Sequence, residues 1–183
     1  MEQVKITAAL IIAILLQWTL RNVAEPFVYI DFPLIIVVYA ALQRNSIKAL
    51  FYGTFAGIAV DALSGGLLGA NGFSKTLVAY AVTEVVRRVY LDNLLLRIPV
   101  IAAACVVNNL VYYGMNRLLG QEPTVQLTVT LAYSLIGTTI AGTIVYLLLD
   151  NFFVKNVTLR KREVFAPRRQ TRRRNPIRLG SRR

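Results

Sequence analysis

GTFAGIAVDALSGGLLGANG, residues 53–72, packs six glycines and one carboxylate into an otherwise hydrophobic region. Gly53, Gly57, Asp61, Gly65 and Gly69 recur at every fourth position. Four residues overshoot one helical turn by about 40°. On a helix these five positions therefore form a slowly winding stripe. Four members lack a side chain, so a neighbouring element can approach closely, and the fifth is ionisable. Whatever fold contains this stretch must supply a close-packing partner and an environment for the carboxylate.

The surrounding chain points to a membrane. Of 183 residues, 56% are hydrophobic and 16% are charged, against about 25% charged in soluble domains. Mean hydropathy is +0.54. This composition implies an all-α membrane protein. Net charge is +12, but it is concentrated at one end. Residues 155–183 hold twelve Lys/Arg and one acid, Glu163, whereas residues 1–150 hold nine basic and eight acidic side chains. The chain divides into a transmembrane domain, residues 1–154, and a basic tail, residues 155–183. The tail is too polar to bury a core and is expected to be disordered.

Apolar runs at residues 5–20, 27–42, 47–63, 73–86, 99–119 and 125–153 predict six transmembrane helices. Trp18 suits an interfacial belt, and Ser46 suits an N-cap. Asp61 falls in the last turn of the third helix. Residues 64–72 then read as an apolar glycine-rich loop, able to dip back where protein lines the bilayer. Cytoplasmic loops carry excess Lys/Arg. With the tail in the cytoplasm, six spans put the N-terminus there too. Lys5, Arg44, Lys48, Arg87, Arg88 and Arg97 join the tail inside, and Arg21, Lys75 and Arg117 fall outside.

Three readings of Asp61 are open. It is a hydrated helix-end carboxylate, a group that fixes residues 64–72 by accepting backbone N–H bonds, or a contact for a partner's cation. The stripe Gly53, Gly57, Asp61, Gly65, Gly69 serves helix packing or partner binding. A second polar set, Asn108, Asn109, Tyr112, Tyr113 and Asn116, lies on the fifth helix, with Asn109, Tyr112, Tyr113 and Asn116 on one face. It suits interhelical hydrogen bonding or a ligand cavity. Gln17 reads as further polar glue, Gly137, Ala141 and Gly142 as a packing surface, and Glu84–Arg88 as a local i,i+4 pair.

Several chemistries are disfavoured. Histidine is absent and Cys105 is the single cysteine, so an intramolecular disulfide is excluded and the commonest general base is missing. There is no phosphate-binding loop, metal-ligand cluster or convincing catalytic pair, so neither an enzyme nor a cofactor is expected. In the tail, Arg160, Lys161, Arg162, Arg168, Arg169, Arg172, Arg173 and Arg174 suit anionic lipid, at about 1 kcal/mol each near the surface. Nucleic acid is electrostatically possible. With no interleaved aromatics beyond Phe165, it ranks well below lipid.

The stretch from Phe51 to Tyr80, FYGTFAGIAVDALSGGLLGANGFSKTLVAY, resembles the MreD family of bacterial rod shape-determining membrane proteins. The matching positions are Gly53, Gly57, Asp61, Ser64, Leu68, Gly69 and Gly72, with the Pro33-containing second span before them. The long Arg-rich tail exceeds the family pattern. The resemblance implies a non-enzymatic component of the cell-elongation complex in the bacterial cytoplasmic (inner) membrane. Its partners there would be MreC, the glycosyltransferase RodA and a class B penicillin-binding protein, in peptidoglycan synthesis. It also implies a fold similar to the substrate-binding subunits of energy-coupling-factor transporters.

Two functions follow. An adaptor predicts a filled interior and a lipid-unsuitable groove near residues 53–69. A small-molecule (vitamin-type) transporter subunit predicts an enclosed cavity near the outer helix ends, lined by polar groups such as Asn109 or Asn116.

Overall fold

The hydrophobic segments become six α-helices in a computed structural model that describes residues 2–23, 25–89, 94–120 and 127–164. They are α1 (Glu2–Val23), α2 (Phe32–Ala41), α3 (Ser46–Ser64), α4 (Ala70–Arg88), α5 (Leu94–Leu118) and α6 (Leu127–Val164). A short 3-10 turn, Glu25–Tyr29, leads into α2. No strand occurs among the described residues.

Four of the helices, α1, α3, α5 and α6, are long and apolar enough to cross a membrane. The other two differ for separate reasons. α2 has only 10 residues, about 15 Å of helix against a hydrocarbon core of about 30 Å. α4 has 19 residues but carries Lys75, Glu84, Arg87 and Arg88, which lower its hydropathy.

α2 is the hub of the bundle. It touches α1, α3, α4, α5 and α6, and Leu34 through Val38, Ala40 and Ala41 are all buried. A helix that is apolar all round belongs inside a protein. Its start is fixed locally. Asp31 Oδ1 accepts the Leu34 N–H at 3.0 Å, and Pro33 occupies the first turn, where its missing N–H costs nothing. Large apolar side chains such as Leu15, Phe51, Phe55, Ile136 and Ile140 project outward, as a lipid-facing surface requires.

Local departures from the sequence reading have physical causes. Asn45, rather than Ser46, caps α3, its Oδ1 accepting the Lys48 N–H at 3.2 Å. Glu84 pairs with Arg87 at 3.2 Å, one residue nearer than expected. α5 begins at Leu94, so Pro99 lies inside the helix rather than in its opening turn. Lys75, expected among the outside charges, is wholly buried in the bundle. The α6 backbone continues as helix through Val164, carrying Arg160, Lys161 and Arg162. Arg168, Arg169, Arg172, Arg173 and Arg174 lie outside the described residues.

Candidate functional site

The glycine-rich stretch is a helical hairpin rather than a helix and a long loop. α3 ends at Ser64 and α4 starts at Ala70, so Asn71 and Gly72 are helical and the link is Gly65 to Gly69. The five-member stripe divides by cause. A Cβ on Gly57 would lie 2.3 Å from the Asn71 carbonyl oxygen, and one on Gly53 would lie 2.8 Å from that of Lys75. Those two glycines let the backbone of α4 press against α3. Gly65 and Gly69 have open space around them but take φ of 64° and 102°, where a side chain is strained. The first closes α3 and the second opens α4.

Asp61 is 1% exposed and lies beneath the start of α4. Its carboxylate accepts the backbone N–H groups of Gly69 at 2.8 Å, Asn71 at 3.1 Å and Gly72 at 3.2 Å. It also accepts the Asn71 side-chain amide at 2.8 Å. The first N–H groups of a helix have no intrahelical acceptor, and a negative charge there opposes the positive end of the dipole. Asp61 therefore acts as an N-cap supplied from another helix. Of the three readings, the geometry matches the one in which Asp61 fixes the link.

From Asn71 a polar chain crosses the bundle. Asn71 Oδ1 accepts from Lys75 Nζ at 3.3 Å. Lys75 forms an ion pair with Asp31, the cap of α2. Asn108 Nδ2 donates to Asp31 Oδ2 at 3.4 Å, and Ser74 Oγ donates to Asn108 Oδ1 at 3.0 Å. The chain Asp61–Asn71–Lys75–Asp31–Asn108–Ser74 thus ties α2, α3, α4 and α5 together. α6 joins through Thr138, whose Oγ1 accepts the Asp31 N–H at 3.3 Å. Buried charges are tolerated when paired and hydrogen-bonded, and each member of this chain is.

The second polar set separates in the same way. Asn108 joins the ion-pair network. Asn109 turns to α6, donating to Ser134 Oγ at 2.9 Å. Asn116 donates to the Tyr112 carbonyl one turn back at 2.8 Å, within α5 itself. Gln17 accepts the Phe32 N–H at 3.0 Å, tying the start of α2 to α1.

Above the start of α2 lies a cavity of about 230 Å³. It lies where α2 stops short, bounded by the end of the 3-10 turn and by α1, α3, α4, α5 and α6. Asp31, Asn71, Asn108, Asn109 and Tyr112 line it, with Arg21 at the end of α1. Asn116 is not among the lining residues. The cavity is half open to the outside, so it matches neither the filled interior expected of an adaptor nor the enclosed pocket expected of a transporter subunit.

Sequence reasoning passed over the Asp31–Lys75 pair, placing the first near the start of the second helix and the second at the outer end of the fourth. A lysine flanked by small and apolar residues, in a chain with only nine acidic residues, was the available signal. Ionisable groups inside a membrane bundle pair with one another.

No curated protein and no solved structure matches the chain. A family profile described as rod shape-determining protein MreD matches residues 2–156, which takes in every helix through α5 and most of α6. The chain with this glycine-bound hairpin, buried network and short central helix belongs to the MreD family of rod shape-determining proteins.

Proposed function

We propose that the protein is a non-enzymatic adaptor of the cell-elongation machinery in the bacterial cytoplasmic membrane. It would hold MreC, RodA and the class B penicillin-binding protein together during lateral-wall peptidoglycan synthesis. The observation that carries this reading is the family match over residues 2–156. The engagement of the bundle's acidic and basic groups supports it. Asp61 caps a helix, and Asp31 and Lys75 are paired with each other. These are structural roles.

In this reading all six helices belong to the membrane domain, with α2 and α4 sheltered by the four long ones. Both termini face the cytoplasm. The burial of Lys75 supports that orientation. Without it, Arg21 and Arg117 stand at one end against Lys5, Arg44, Lys48, Arg87, Arg88 and Arg97 at the other. The basic tail adds contact with anionic lipid.

Partner contact falls to surfaces outside Gly53 and Gly57, since α4 covers both. The test is recovery of MreC, RodA and the penicillin-binding protein with the tagged chain from native membranes. Their absence after mild solubilisation and crosslinking would refute the adaptor reading.

A second reading, a substrate-binding subunit of a small-molecule transporter, rests on the 230 Å³ cavity with Asn109 in its wall. It predicts co-purification with a coupling protein and an ATPase instead.

A further inference from the structure

The cavity above α2 has a definable chemistry. Its volume, about 230 Å³, lies just below the usual range for small-molecule pockets, about 300–1,000 Å³. A cavity of about 150 Å³ holds benzene, so this one has room for a ligand of about ten non-hydrogen atoms. Its wall mixes apolar side chains, Val28, Ile30 and Val60, with polar ones.

The charge and hydrogen-bond capacity of that wall are lopsided. Asp31 lines the cavity, but Lys75 neutralises it in place. The Asp61 charge lies behind Asn71, compensated by the N–H groups of α4. Arg21 lines the cavity with no partner among the described residues. Among the described residues, the lining therefore carries one positive charge without a counter-ion, that of the exposed Arg21. The unengaged hydrogen-bonding atoms lean the same way. Gln17 uses its oxygen on Phe32, leaving its N–H groups to donate. The Tyr112 hydroxyl has no partner among the described residues. Asn109 uses its nitrogen on Ser134 and Cys105 and contributes an acceptor oxygen. Among the described residues, the Gln17 amide, the Tyr112 hydroxyl and the Arg21 guanidinium can donate into the cavity, and the Asn109 oxygen and the Tyr112 hydroxyl can accept.

We propose that this cavity binds a small organic anion, with its carboxylate at Arg21, Gln17 and Tyr112 and its apolar part against Val28 and Val60. Guanidinium–carboxylate bonds are strong because both groups are charged. The site does not depend on which membrane proteins the bundle assembles with, nor on whether it serves transport.

The test uses the full chain in phosphatidylcholine nanodiscs and fluorine NMR. The probes are para-fluorobenzoate and its neutral isostere para-fluorobenzamide, with empty nanodiscs as the partition control. Saturable broadening of the carboxylate is expected, with affinity about tenfold above that of the amide. Arg21→Gln should abolish that preference, bringing the carboxylate down to the affinity of the amide. Gly66→Phe should block both probes. Gly66 lies at the cavity, and a Cβ there would meet Ser64 Oγ at 3.6 Å and Tyr112 Oη at 3.7 Å, both ordinary contacts, so the position accepts a side chain. Equal binding of acid and amide would overturn the proposal, as would carboxylate binding indifferent to both substitutions. So would the absence of saturable binding up to about 10 mM, which would make the cavity a water-filled space only.

Discussion

The ammonium of Lys75, wholly buried on α4, rests on the carboxylate of Asp31, which is itself the N-cap of α2. One carboxylate thus sets where the central helix starts and neutralises the buried cation. Removing either partner strands the other, and breaking a buried pair costs about 3–5 kcal/mol. Lys75→Met and Asp31→Asn should each lower the unfolding midpoint in nanodiscs. The double variant should be clearly less destabilised than the sum, because no charge is left unpaired. Additive losses would show that the pair is not coupled.

Asp61→Ala removes the acceptor for three backbone N–H groups and one amide. Bonds to a charged acceptor contribute about 1.5–3 kcal/mol each, though not additively. The expected result is a loss of at least about 3 kcal/mol and faster proteolysis between Ser64 and Ala70. Asp61→Asn keeps one acceptor oxygen and should lose roughly half as much. Both variants are assayed by limited proteolysis and by restoration of rod shape in a deletion strain.

Gly57→Ala inserts a methyl where the Asn71 carbonyl oxygen is 2.3 Å away, so backbone must move. Overpacking costs about 1–3 kcal/mol. Gly114→Ala meets nothing within 4 Å and should stabilise α5 by up to about 1 kcal/mol. The two substitutions should therefore shift the thermal midpoint in opposite directions. A loss of partner recovery with Gly57→Leu would come from a separated hairpin, visible as lost stability.

Arg160→Gln, Lys161→Gln and Arg162→Gln together should weaken vesicle binding of the chain's basic segment by up to about 3 kcal/mol. The effect should appear on phosphatidylglycerol vesicles and fade as salt rises. Salt-independent binding would argue against an electrostatic contact.

Much of this was legible in the sequence. Helix positions followed from hydropathy, and the family from residues 51–80. Close packing at Gly53 and Gly57 was readable because spacing and side-chain size are local properties. The four-residue rhythm hid a change of cause at Gly65 and Gly69, where backbone torsion replaces packing, and torsion leaves no mark that differs from packing in a string of letters. The Asp31–Lys75 pair spans 44 positions, and only the fold brings those residues together. The cavity was harder still to foresee, since it arises where α2 falls short, and an apolar run does not announce where its helix begins.

The shortness of α2 bears on biogenesis. A segment must partition into lipid to be released sideways from a translocation channel, and α1, α3, α5 and α6 meet that condition. A helix of 10 residues and a helix carrying Lys75 do so poorly alone. Pairing with their neighbours would offset that, α4 folded onto α3 through the Asp61 bonds and α2 held against α1 through Gln17. The contacts that serve as the core of the bundle are thus also the ones that would let α2 and α4 enter lipid.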